Sequence, residues 1–291
     1  MVRISTWAFV FIVTGAVLAT AALSMQGDSD APKGRVASSR CATEEPSIEE
    51  MLRIEAQSSG KNIEETDGVI TVPVAFHVIS NGASGNIPDQ MLIDQVSVLN
   101  SAYSGVPGGA NTEFRFEIQS IDRTVNAAWY TAAYQSTQEY AMKEALHVGN
   151  GMTLNVYTTN SPWNWGTFPW LYAGAPLHDG IVVRHETFPG GGSQYFGTGD
   201  IAVHEVGHWL GLYHTHQGEC SSNNDFVTDT PAMKAGGAQS CPSPRDTCKG
   251  KNYPGNDPLN NYMTGMIDSC ETQFTQGQSS RMSVMWATWR D

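Results

Sequence analysis

His204-Glu205-Val206-Gly207-His208-Trp209-Leu210-Gly211-Leu212-Tyr213-His214, HEVGHWLGLYH, gathers three of the chain's 8 histidines around a glutamate. Successive helical residues turn by about 100°, so His204 and His208 project from one side, about 6 Å apart along the axis, and can share a metal ion. Glu205, one position on, is turned too far to be an equal ligand, yet it can reach a water held by the metal. Gly211 tolerates the positive φ that ends a helix sharply, which lets His214 return as a third ligand. Three protein ligands on zinc leave a fourth position open, as in catalytic sites, where bound water has a pKa of about 7. Glu205 would then take a proton from that water and pass it to a leaving amine. A lone helical histidine is more often merely exposed or hydrogen-bonded; the whole constellation has no such simple explanation.

The surrounding chain is globular material. It has 291 residues and 40% hydrophobic content, enough for a substantial core. A balance of 16 Lys+Arg against 29 Asp+Glu, net −13, offers no basic field for a polyphosphate and argues against nucleic acid as a partner.

Arg3, an apolar run from Trp7 to Leu18, and the small residues Ala19-Thr20-Ala21 read as a signal peptide over 1–21, with an N-terminal anchor as the alternative. Secretion into an oxidising compartment follows, with no membrane attachment of the mature form. Of the 5 cysteines, Cys41 stands alone, whereas Cys220, Cys241, Cys248 and Cys270 cluster late and allow two disulfides in three connectivities.

Residues 22–66 are polar and read as a pro-segment or flexible arm, leaving 67–291 as the folded domain. Val72, Val74, Phe76 and Val78 alternate as a strand; Pro88 and Asp89 open a helix with Leu92, Val96, Leu99 and Tyr103 on one face. Strands are expected at Phe114–Ile118, Met152–Val156 and Ile181–Val183, and a helix at Thr137–His147. After the histidine run the pattern dissolves until Thr275, which caps a closing helix over Gln276–Arg290. The fold class is mixed α/β.

The histidine run, followed by Asp229-Thr230-Pro231 and Asn261-Tyr262-Met263, resembles the pappalysin group of metzincin metalloproteases, from about Ile70 to the end. That resemblance implies a twisted mixed sheet with an active-site helix above an irregular, disulfide-bonded C-terminal subdomain. It implies His204, His208 and His214 as zinc ligands, Glu205 as general base, and Met263 as an apolar floor beneath the metal. It also implies the pairings Cys220–Cys248 and Cys241–Cys270. One departure is Gly265, where many metzincins place a tyrosine that can swing near the metal; Tyr262 adjoins Met263 without a clear role.

Cys41 could fill the open zinc position until the arm is removed, as in a cysteine-switch proenzyme, or be a free or intermolecularly paired thiol. On the family fold, Gly180–His185 would form the upper edge of the cleft and bind extended peptide as an added strand. Asp225, Thr228 and Asp229 are candidate calcium ligands, His216 reads as a surface residue, and Asp268 near the cleft floor would suit basic side chains. The expected function is a secreted, monomeric zinc endopeptidase acting on proteins or peptides. The rival is a non-catalytic effector that uses the same scaffold to grip a protein partner.

Overall fold

The polar arm carries a helix. Ile48–Ser58 forms α1, opened by Ser47, whose hydroxyl accepts the Glu50 N–H at 3.2 Å, with Glu49 and Glu50 at the favourable positive end. Its inner side is Met51, Ile54 and Ser58. The flexible-arm reading is therefore corrected for this stretch: few side chains here are apolar, but they fall on one face and find a surface to cover. The computed structural model describes residues 41–59, 68–236, 241 and 243–291, all within the unit Arg35–Asp291. The expected signal at 1–21 and the remainder of the expected pro-segment lie outside the described residues.

Strand β1 (Ile70–Ser80) begins where the alternation starts, and α2 (Asp89–Tyr103) crosses over to β2 (Phe114–Val125), which pairs with β1 in parallel. Helices α3 (Ala127–Tyr130) and α4 (Thr137–Leu146) then lead into β3 (Leu154–Thr159), parallel to β1 on its other side with Phe76 opposite Val156. Met152 lies before that strand and is partly exposed. The two-residue β4 (Trp165–Gly166) runs antiparallel to β5 (Ile181–Arg184), giving the order β2-β1-β3-β5-β4.

Gly180–His185 is thus not the edge; β4 is. β5 is covered on one side by β3 and on the other by Trp165 and Gly166, a pair too short to show any period in the sequence.

One sheet face, with Val72, Val74, Phe76, Val78, Leu154, Val156, Ile181 and Val183, packs in a single core with Leu92, Val96, Leu99 and Tyr103 of α2. The same core takes in Ile201, Val203 and Val206 of α5 (Asp200–Trp209) and Met282 and Trp286 of α6 (Gln276–Trp289). On the opposite face, Ile79, Tyr157 and Val182 meet Tyr130 and Met142 of α3 and α4. Every residue of α5 after Asp200 is buried, as expected of a helix apolar nearly all round.

From α5 to α6 the only regular element among the described residues is a 3-10 turn at Asp268–Cys270. Disulfides Cys220–Cys248 and Cys241–Cys270 hold this irregular part, each with Cα atoms 5.3 Å apart. Thr275 and Gln278 form a capping box at the start of α6. No helix among the described residues is long and apolar enough to cross a membrane.

Candidate metal centre

Helix α5 brings His204 and His208 one turn apart, with their Nε2 atoms 3.1 Å from each other. Gly211, at φ 95°, turns the chain back, and His214 Nε2 arrives 3.3 Å from that of His204 and 3.2 Å from that of His208. Nitrogens about 2.0–2.1 Å from a tetrahedral ion stand about 3.3 Å apart, so the triangle fits a zinc-sized centre. The outer nitrogens fix the tautomers. Nδ1–H of His204 donates to Tyr262 O at 2.7 Å and that of His208 to Leu212 O at 2.8 Å, because a carbonyl only accepts; the Nε2 lone pairs therefore face inward. His214 Nδ1 lies 3.0 Å from Glu45 Oε1. Burial, then mutual repulsion with His214, pushes His204 down to about 3, and burial lowers His208 and His214 as well, which keeps all three neutral as ligands must be.

Cys41 joins this group. Its Sγ lies 3.6 Å from His208 Nε2, and the ligand atoms of Cys41, His204, His208 and His214 all fall within 4.8 Å of one another. A sulfur at about 2.3 Å and a nitrogen at about 2.05 Å from a tetrahedral ion stand about 3.6 Å apart, so the fourth corner fits a thiolate. Burial, then the Glu205 charge, raises the thiol well above its ordinary value; a divalent cation in the nest acts in the opposite sense.

Glu205 is buried, and burial pushes its carboxyl up to about 8. Its Oε2 accepts from Thr43 Oγ1 at 3.1 Å and from Cys41 Sγ at 3.5 Å. Its Oε1 has no hydrogen-bond partner, an orphaned polar atom in a buried site that otherwise satisfies its histidines.

The chain around Cys41 lies along β4. Cys41 bridges Asn164 in parallel, Ala42 N donates to Asn164 O at 2.7 Å, and Gly166 N donates to Thr43 Oγ1 at 2.9 Å. Gly166 must be glycine here, because a Cβ would stand 2.6 Å from Glu205 O. Thr43, Glu45, Asn164 and Gly166 escape sequence reading; the one local signal is Ser47 three residues before Glu50, which marks a helix start and so an ordered arm.

Met263 is buried under α5, where a Cβ on Gly207 would fall 2.4 Å from its Sδ. Gly265 has φ 77° and no side chain to offer the metal. Tyr262 turns into the core beside Phe274, with ring centroids 4.9 Å apart, and contributes its carbonyl to His204.

His216 is not a surface residue: its ring stacks on His214 at 4.7 Å and its Nε2 lies 3.4 Å from Glu45 Oε1, because the turn after His214 folds it under the arm. The calcium expectation gains no support. Asp225 is buried and binds the Thr230 hydroxyl with both oxygens, Asp229 accepts from Thr275 Oγ1 and Gly277 N at the start of α6, and Thr228 is exposed. Asp268 accepts from Thr198 N and Oγ1 just before α5.

Residues 194–287 match the peptidase family model described as "Pregnancy-associated plasma protein-A". An extracellular metalloprotease of Verticillium alfalfae is 38% identical over 267 residues, covering 86% of this chain and 89% of that protein. The solved structure of mirolysin in complex with a small compound matches with a TM-score of 0.63 at 26% identity, over 76% of this chain and 93% of that one. A promirolysin mutant of Tannerella forsythia shares the fold at a TM-score of 0.69 and 23% identity, over 83% of this chain and 88% of that one. Both neighbours have the metzincin architecture that the family resemblance implies. The chain therefore belongs to the pappalysin family of extracellular metalloproteases.

Proposed function

We propose that this metalloprotease is a zinc endopeptidase made as a latent, monomeric proenzyme, with a signal peptide at 1–21, a pro-segment at 22–66 and the catalytic domain at 67–291. His204, His208 and His214 hold the zinc, Met263 is the apolar floor, Glu205 is the general base, and Cys41 closes the fourth corner. Three imidazoles and a thiolate form a donor set suited to zinc rather than to a hard, oxygen-seeking cation.

One observation carries the reading: the single stretch Cys41–Thr43 engages three separate parts of the site. Cys41 stands at the fourth corner, Thr43 bonds Glu205 Oε2, and Ala42 with Thr43 uses the Asn164 carbonyl and Gly166 N–H of the sheet rim. Removing it frees all three together.

Zinc, when bound, supplies Lewis-acid polarisation and lowers the pKa of a water. Asn164 O and Gly166 N then take the backbone of an extended protein or peptide substrate as an added strand. Glu205 accepts a proton and returns it to the leaving amine; its unpartnered Oε1 would be a burden in a purely structural metal site.

Folded full-length chain, loaded with zinc and then cut between α1 and β1, should cleave casein. Glu205→Gln should keep one zinc per chain and lose about 10²- to 10⁴-fold in rate. A Gln variant that cuts at the parental rate would refute the assigned base.

A further inference from the structure

We propose that the surface vacated by α1 becomes a docking site for protein substrates, an aromatic groove beside the metal that takes a helical segment with two apolar side chains and a carboxylate at i, i+3 and i+4. The inference rests on the latent-proenzyme reading above and extends it to how the processed enzyme chooses its substrates.

The groove is defined by what fills it now. Met51 and Ile54 of α1 are each 1% exposed, and Met51 packs on Phe168 and Tyr213 with Trp170 and Phe226 alongside. These rings form one continuous wall: Phe168 stacks on Trp170 at 4.4 Å, Trp170 meets Tyr213 at 5.7 Å, and Tyr213 meets Phe226 at 6.3 Å. The wall reaches the catalytic centre, because Phe168 also touches the His208 ring edge-on at 5.3 Å. Without α1, a patch rich in aromatic side chains would face water next to the metal, the kind of surface that marks a contact site.

Charge adds direction. Glu55 takes two bonds from the Arg281 guanidinium, at 2.9 and 2.7 Å. Arg281 does not depend on Glu55 for its position: it lies over the Tyr213 ring at 4.6 Å, and its Nε donates to Gly211 O at 2.9 Å. After α1 leaves, the guanidinium stays aimed into the groove with an unmet demand for a carboxylate, and such pre-organised forks bind acids at little entropic cost. Apolar contacts one helical turn apart and an acid beside the second reproduce Met51, Ile54 and Glu55. The short link Glu44–Ser47 joins the stretch on the β4 rim to the helix in the groove, so one substrate can occupy both.

The test uses full-length chain folded with zinc and then cut between α1 and β1. A short cleavable peptide core is compared with the same core extended, at one end or the other, by a helix-forming segment carrying Met-x-x-Ile-Glu. At least one extension should raise kcat/KM by about tenfold or more. Changing the segment's Glu to Gln and both apolar residues to Ala should return the ratio of extended to bare core to about one, as should Phe226→Ala in the enzyme. The changes in the extension need no enzyme variant to fold. A ratio near one for both original extensions would overturn the inference while leaving the proposed function intact. Failure to cleave even the bare core in a Glu205-dependent way would instead overturn the proposed function. The inference is then decided by fluorescence anisotropy of the labelled extension on the same processed chain, where binding supports it and no binding overturns it.

Discussion

Glu45 Oε1 stands 3.0 Å from Nδ1 of His214, so the third histidine of the cluster takes its outer bond from the expected pro-segment, whereas His204 and His208 take theirs from main-chain carbonyls after α5. Outer partners orient a ligand and raise its basicity, and losing one typically weakens metal affinity by about 10- to 100-fold. Glu45→Ala in the full chain should therefore release zinc to a chromogenic chelator at a competitor concentration about tenfold lower or more. Release at the parental concentration would show that this bond does not help hold the metal.

Asp200 opens α5, and burial, then the charge of Asp268, pushes its carboxyl up to about 8. The sign follows from linkage. The unfolded chain loses this proton near pH 3.9 while the folded one keeps it to about 8, so the stability from the neutral form is full below about pH 4 and is lost as pH rises toward 8. Asp200→Asn stays neutral throughout. Its Tm should exceed the parent's by at least about 2–4 °C at pH 8, the shift that about 1 kcal/mol produces in a chain of this size, with no such gain at pH 4. Equal differences at both pH values would count against the assignment.

Arg290 closes the chain onto the end of the active-site helix. It pairs with Asp179 at 2.8 and 3.1 Å, donates to Trp209 O at 2.9 Å and lies 3.7 Å over the Trp209 ring, with both charged side chains fully buried. Arg290→Ala leaves Asp179 as a buried charge without its cation and should cost about 3–5 kcal/mol, read by urea denaturation. A loss below about 1 kcal/mol would mean that the C-terminus does not anchor α5.

Much of this was legible in the sequence, because burial imposes period. The face Leu92, Val96, Leu99 and Tyr103 does lie inward, and Thr275 does cap the last helix. The turn at Gly211 was readable because only a left-handed residue permits it. What escaped has no period. β4 is two residues long and shows no period, so the family resemblance alone places the sheet rim at its neighbour β5. α1 is rich in Glu and Ser, and Met51 becomes informative only beside Phe168 and Tyr213, which are far away in the chain. His216 reads as a surface residue in the sequence because nothing local shows that Glu45 will lie across it.

X-ray absorption at the zinc edge of the intact, zinc-loaded chain tests the central claim most directly. Three nitrogen ligands and one sulfur at about 2.3 Å are expected, with the sulfur shell lost after processing and in Cys41→Ser. An intact chain whose zinc shows only nitrogen and oxygen neighbours would contradict it.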